Sequence, residues 1–363
     1  MFEASLYSTI YYLVVIIATI IATNKYRVLT YTNDGVGEKN KKLTEWIFPA
    51  IISLFIGLRP VDGRFVDMVN YNSYYYAQQY GKSFSFDADA TNYIFDNLFS
   101  WLGANYYDIT VFFLIIAICY FMGAYKAMKL LFKNHAFLAF VVFLGAFSTL
   151  SYATNGIKAG AAASFFLCAL GYREKKIKAA ICLILSLGFH HSMIMPIMAY
   201  IISLFLKNSK YYFAFWIFAL LMAVLHISGF QEFFAGMSDE SSAEYLNPEN
   251  EDWGGKTGFR LDFVIYSFLP VFIGYMAIFK YKLESKIYSF LLNVYLLTNA
   301  VWMLCMYAAF TNRIAYLSWL MYPVVTIYPF FCKNFMPEQT TKLKQLVWIQ
   351  LLFTLFMYIV YYG

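Results

Sequence analysis

Charge is scarce in this chain. Of its 363 residues only 13% are Asp, Glu, Lys or Arg, while 61% are hydrophobic and the mean hydropathy is +0.57. An ordinary soluble domain carries roughly 25% charged residues, so that class is excluded and an all-α, polytopic membrane protein is expected. Cysteine is also sparse. Cys119, Cys168, Cys182, Cys305 and Cys332 all sit in or at the ends of apolar runs, with neither loop pairs nor metal-ligand spacing, which leaves them as packing residues. The first 23 residues carry only Glu3 before an apolar run and lack a basic leader and a small-residue cleavage site, so they read as a retained helix with its N-terminus outside. No internal repeat and no soluble domain is visible, and nothing points to nucleic acid.

What is present is a long series of apolar runs. A hydrocarbon core of roughly 30 Å asks for about 20 apolar residues per helix. Twelve segments thread the chain: 5–23, 44–58, 108–128, 136–152, 155–171, 177–191, 193–206, 211–229, 261–280, 286–309, 313–332 and 345–362. They form one transmembrane domain over 1–363, and 20 of the 27 Lys and Arg then fall on one side, which the positive-inside rule makes cytoplasmic. Fifteen of the 21 acids fall on the other side, a weaker indicator of the same topology.

Two outer segments are long enough to fold on the membrane surface. Residues 59–107 are expected to form an amphipathic or re-entrant piece, with Asp62 capping a helix start and Arg64, Asp67 and Tyr71 following at i, i+3 and i+7 on one face, away from Phe65, Met68 and Val69. Residues 230–260 are acidic and Gly-rich and read as an exposed loop or lid. The chain has 33 Tyr and 38 Phe, most of them explained by interface belts and packing. The cluster Tyr71, Tyr74, Tyr75, Tyr76 and Tyr80 has a second use, as flat faces for sugar rings.

Seven cations remain on the outer side: Arg59, Arg64, Lys82, Lys158, Lys256, Arg260 and Arg313. Lys82 and Lys256 lie in loops, and Arg64 suits a groove or headgroup contact. Arg59, Lys158, Arg260 and Arg313 each stand at the outer end of a different helix. A lone Arg there can simply snorkel to headgroups. Four together on the side where cations are disfavoured point instead to an anion, and a phosphate or pyrophosphate fits the planar fork of Arg and the point charge of Lys. The same groups would stabilise charge growing on a leaving group.

Histidine is rare, with only His135, His190, His191 and His226. His190 and His191 adjoin at the outer end of the sixth segment, where an imidazole serves either as an interfacial hydrogen-bonding group or as a base for a sugar hydroxyl. Asp67 and Asp262 are the rival carboxylates, although Asp262 is also placed to be the ion partner of Arg260. Asp87-Ala88-Asp89 matches a DxD metal pattern in an acid-rich loop, a weak signal, and no cofactor or metal is required if Arg and Lys neutralise the phosphates.

The stretches GLRPVDGRFVDMVNY at 57–71, STLSYATNGIKAGAAASFFL at 148–167, LGFHHSMIM at 187–195, GFRLDF at 258–263 and NRIAYLSW at 312–319 resemble the EpsG family of Wzy-like polysaccharide polymerases over most of the chain. The resemblance implies a GT-C-like architecture in the bacterial cytoplasmic membrane, with an active site facing the exterior. There an inverting transfer carries a growing glycan from undecaprenyl pyrophosphate to the next lipid-linked repeat unit. It implies roles for Arg59 and Asp67 in an early R…D pattern, for His190, and for Arg260 and Arg313, with flippase and chain-length or export proteins as partners. Two adjacent positions depart: Lys158 and Ala159 stand where Arg and Gln are expected, keeping the charge but losing the fork and the amide. Site candidates are thus His190 and Asp67 as bases, and Arg59, Arg64, Lys158, Arg260, Arg313 and Tyr71 as substrate contacts.

Other classes use similar chemistry. A flippase would guide pyrophosphate with the same cations, but transporters tend to place charge near the midplane and to show repeats. An O-antigen ligase-type transferase shares the pyrophosphate logic and is not separated by sequence. An acyltransferase on His190 and His191 would need a cytoplasmic acyl donor.

Overall fold

The computed structural model describes residues 2–25, 43–79, 83–227, 258–308 and 311–362. The regular structure is helical, with no strand among the described residues. In chain order the helices are α1 (Tyr7–Lys25), α2 (Ile47–Gly57), α3 (Asp67–Gln79), α4 (Tyr93–Ala104), α5 (Ile109–Phe132), α6 (Ala136–Leu144), α7 (Phe147–Thr154), α8 (Ile157–Gly171), α9 (Lys176–Phe189), α10 (Ile194–Phe205), α11 (Ser209–Val224), α12 (Leu261–Tyr275), α13 (Lys286–Leu304), α14 (Thr311–Trp319), α15 (Tyr322–Ile327) and α16 (Gln339–Tyr362).

In their described residues the twelve threaded segments fall largely on helix, some of them broken, and length separates them. Ala4–Lys25, Ile109–Leu144, Leu261–Lys280, Lys286–Leu304 and Gln339–Val360 are long and apolar enough to cross a membrane. Thr311–Trp319 and Tyr322–Phe331, bent by 41°, give a sixth if they act as one broken span. Shorter apolar helices are Thr44–Gly57, Ile157–Gly171, His191–Phe205 and Ser209–Val224. By length and composition the described helices therefore supply five or six spans. The apolar runs are interrupted by local backbone, such as Lys133 at φ 50° between α5 and α6 and the Asn155-Gly156 break between α7 and α8.

The chain divides into two compact units, Met1–His190 with Thr340–Gly363, and His191–Gln339. In the first, α5 and α8 cross through small residues. A Cβ on Gly123 would lie 2.9 Å from the Ser164 Cβ, and the Ser164 hydroxyl donates to the Tyr120 carbonyl. Without a water-driven force between helices in lipid, such close backbone approach supplies the van der Waals attraction. Tyr11 Oη donates to Leu144 O at 2.7 Å and Gln350 Nε2 to Val142 O at 2.9 Å, which ties α1 and α16 to α6.

The second unit is organised around Asn299 on α13. Its amide nitrogen donates to Ser267 Oγ at 3.1 Å and Ser318 Oγ at 3.0 Å, and its oxygen accepts the Trp216 indole N–H at 2.8 Å. Trp319 Nε1 also donates to Ser267 Oγ, at 2.8 Å. Helices α11, α12, α13 and α14 are thereby joined by polar bonds inside an apolar interior, where each group needs a partner.

The segment 59–107 folds as α3 and α4 after a short 3-10 turn, Gly63–Phe65. Asp62 caps that turn, accepting Arg64 N–H at 2.9 Å. Arg64 does not share a helical face with Asp67 and Tyr71, because Val66 at φ 46° breaks the backbone and α3 starts only at Asp67. Met68 and Tyr75 are buried, whereas Val69 is exposed. Tyr71 packs edge-on against Phe95 and Phe99 of α4, with centroids 5.9 and 6.1 Å away. The cluster of tyrosines is thus sorted: Tyr75 is inside, Tyr74 is 67% exposed and Tyr76 is exposed. Tyr80, Lys82, Lys256 and nearly all of the 230–260 loop lie outside the described residues.

Candidate active site

Asn155 and Gly156 separate α7 from α8, and this break organises one end of the first unit. Arg59, two residues beyond the end of α2, is only 1% exposed. Its Nη1 donates to Ile56 O at 2.8 Å and its Nη2 to Thr154 O at 3.0 Å. Both acceptors are carbonyls in the last turn of a helix, where partial negative charge collects. The Phe65 and Phe113 rings lie 5.3 and 5.1 Å from the guanidinium carbon. Carbonyl dipoles and ring quadrupoles together compensate part of the desolvation. Burial pulls the Arg59 pKa down to about 10, with Tyr7 opposing, so the group stays charged at neutral pH.

Asp67 opens α3, and its backbone N–H donates to Asn155 Oδ1 at 3.2 Å. Thr154 and Asn155, adjacent in sequence, therefore hold Arg59 on one side and Asp67 on the other. Lys158 follows in the first turn of α8 and is half-buried. Gly160 lets α8 approach α7, since a Cβ there would stand 2.6 Å from the Tyr152 carbonyl oxygen.

His190 reaches the same end by a hairpin. A short turn over 172–175 folds α9 back antiparallel on α8, and Ser186 Oγ donates to Ala162 O at 2.8 Å, fixing the register. Lys158 precedes Ala162 by one helical turn and His190 follows Ser186 by the same interval, which brings the two to one level. His190 leaves the helix in an extended conformation, φ −154°, with its N–H bonded to Ser186 O. Arg59, Asp67, Lys158 and His190 thus share one end of this unit, while Arg64 is exposed on the adjoining turn.

In the second unit Arg260 precedes α12 and is 9% exposed. Nε and Nη2 grip Asp262 at 3.1 and 2.8 Å, and the guanidinium carbon stacks 3.6 Å from the Phe263 centroid. Asp262 is therefore the ion partner of Arg260. The Arg260 N–H points to Met306 Sδ at 3.4 Å, in the connection leading from α13 to α14. Thr311, at the start of α14, accepts the Trp302 indole N–H at 3.0 Å, and Arg313 is exposed two residues later. The connection after α13 is therefore flanked by both late arginines.

Asp87 and Asp89 are exposed, and the Asp87 carboxylate accepts the Asp89 N–H at 2.9 Å, an ordinary turn bond. Among the described residues no group of three or more His, Cys, Asp and Glu gathers. Sequence reasoning quoted Asn155 without giving it a task and missed the Phe65–Phe113 cradle of Arg59. The Asn-Gly pair inside an apolar run was the available signal for the first; nothing in spacing pointed to the second.

An all-helical, multi-pass membrane protein with cations, a carboxylate and a histidine at helix ends is the class that fold and composition define. The chain belongs to the EpsG family, whose model matches residues 46–363. This is the family of Wzy-like polysaccharide polymerases, which implies polysaccharide biosynthesis with a glycosyltransferase-like polymerase activity and lipid-linked oligosaccharides as substrates. No curated protein and no solved structure matches the chain.

Proposed function

We propose that the protein polymerises lipid-linked repeat units at the outer face of the bacterial cytoplasmic membrane, within a GT-C-like scaffold. The observation that carries this reading is the α7–α8 break, which links a carboxylate-bearing helix start, a buried arginine and Lys158, with His190 brought to the same level by the α8–α9 hairpin. A hydroxyl of the incoming repeat unit attacks the anomeric carbon of the glycan held on undecaprenyl pyrophosphate. The new C–O bond forms with inversion as the bond to the pyrophosphate oxygen breaks, and that oxygen keeps the electron pair. His190 or Asp67 takes the hydroxyl proton.

Cations serve the leaving group. Lys158 supplies a point charge at a helix N-terminus, where the backbone already favours anions. Arg260, Arg313, Arg64 and Tyr71 are assigned to contacts with the lipid-linked substrate, the two late arginines as phosphate-binding groups. The Asp262 carboxylate holds the Arg260 fork in place before substrate arrives, which lowers the cost of ordering it. The reaction needs no metal if these charges neutralise the phosphates. Partner flippase and export proteins would supply the substrate and remove the product.

The test uses purified protein supplied with undecaprenyl-pyrophosphate-linked repeat units, comparing Arg260→Ala and Lys158→Ala with the parent. Chains longer than one repeat from the parent, and a marked loss in both variants, are expected. An unchanged product ladder in both variants would remove the assignment of these cations. No polymer from the parent, with finished glycan moved to another lipid, would favour a ligase.

A further inference from the structure

We propose that Asn155 and Arg59 are positioning residues, a two-armed brace across the α7–α8 break that sets Asp67 and Lys158 in register. The proposal rests on the polymerase reading for its consequence, though not for its geometry. One arm is the Asn155 carboxamide, whose Oδ1 accepts the Asp67 N–H at 3.2 Å. The other is Arg59, whose Nη2 holds the carbonyl of the preceding residue, Thr154, at 3.0 Å while Nη1 holds Ile56 O at 2.8 Å.

Three features make this a built junction. The backbone of Asn155 is itself pinned, with its N–H on Ser151 O at 2.9 Å and its carbonyl accepting Ile157 N–H at 2.8 Å. Its side chain therefore projects from a fixed point between two helices. Arg59 cannot swing out without leaving the Phe65 and Phe113 rings and giving up its bonds to the Ile56 and Thr154 carbonyls. Val66, immediately before Asp67, holds φ 46° and ψ −90°, a conformation unfavourable for a β-branched residue that needs outside support. The Asn155 bond lies one residue from that strained position.

The consequence is a division of labour among the early cations. Arg59 spends two of its N–H groups on backbone carbonyls and organises the site from behind. Lys158, half-buried in the first turn of α8, is the cation that the brace sets in position. A displacement of about 1 Å in a reacting group can cost on the order of a hundredfold in rate, so a brace of this kind acts on turnover more than on substrate binding.

Two readouts test it. Hydrogen exchange of the detergent-solubilised protein follows peptides covering 66–72 and 152–160, and turnover is measured with undecaprenyl-pyrophosphate-linked repeat units. Asn155→Ala should raise exchange at 66–72 and lower kcat by roughly tenfold or more, with KM little changed. Asn155→Asp keeps an acceptor oxygen and should restore most of both. Arg59→Lys retains charge but loses the planar fork whose two nitrogens each hold one carbonyl, and should raise exchange at 152–160. Unchanged exchange in Asn155→Ala and Arg59→Lys would overturn the brace, as would a rise in KM without a fall in kcat. If the parent makes no polymer while the exchange changes appear, the polymerase reading fails and the brace stands.

Discussion

Arg260 and Asp262 form a bidentate pair across one intervening residue, Nε to Oδ1 at 3.1 Å and Nη2 to Oδ2 at 2.8 Å. The guanidinium face lies on Phe263, so its edge and its face are used by different neighbours. The pair is buried on the arginine side and touches water at the carboxylate: the Asp262 side chain is 31% exposed and that of Arg260 10%. Asp262→Ala should therefore cost less than loss of a fully buried counter-ion, about 1–3 kcal/mol, between the surface and buried limits. Thermal unfolding in detergent checks this, and a variant as stable as the parent would show the pair to be energetically idle.

Asn299 satisfies an indole and two hydroxyls at once. Asn299→Leu has a similar volume but leaves the Trp216 N–H without its acceptor in an apolar interior. A loss of roughly 2–4 kcal/mol is expected from these orphaned groups. The double variant Asn299→Leu with Trp216→Phe should recover part of it, and no recovery would mean the indole bond is not the source.

Gly160 stands where α8 leans on α7. A Cβ would meet the Tyr152 carbonyl oxygen at 2.6 Å, and backbone cannot yield as a side chain can. Gly160→Ala should destabilise by about 1–3 kcal/mol and lower turnover, because the start of α8 carries Lys158. Wild-type stability and turnover together would show that the helices separate there freely.

Asp108 caps α5, accepting the Thr110 N–H at 2.8 Å and the Thr110 hydroxyl at 2.6 Å. The Thr110 hydroxyl bond, followed by the backbone bond, holds its pKa below the ordinary value of 3.8. A depressed carboxylate pKa gives a contribution that is complete above the unfolded value and lost as pH falls through the folded one. Asp108→Ala should cost about 1 kcal/mol at pH 7, and the gap from the parent should narrow as pH falls below roughly 4. A gap independent of pH would assign the effect to something other than the charge.

Val66 at φ 46° is a strained residue beside Asp67. Val66→Gly removes the Cβ conflict and should raise stability by about 1 kcal/mol, offset in part by unfolded-state entropy. If the strain helps to orient Asp67, turnover falls as stability rises. A loss of stability would show that the Val66 side chain contributes more than its backbone costs.

Helices were legible because they rest on local information. The apolar runs around 5–23, 261–280 and 345–362 needed no partner to be recognised, and each falls on a helix. Asp62 was legible as a cap for the same reason. The face shared by Arg64, Asp67 and Tyr71 was not, because helical spacing assumes unbroken helix and Val66 breaks it. Arg260 with Asp262 was half legible: two residues apart, they were natural partners, but the stack on Phe263 depends on the backbone before α12.

By itself the sequence determined the class of the protein, a helical membrane protein of the EpsG family, since low charge, apolar runs and family motifs are properties of the chain alone. Tertiary structure decided which charges are spent on the scaffold. Whether a guanidinium faces solvent or two helix-end carbonyls depends on segments far apart in sequence, as Arg59 and Thr154 show. Burial makes that choice, because a charge removed from water must find its compensation in whatever backbone and rings the fold has already brought there.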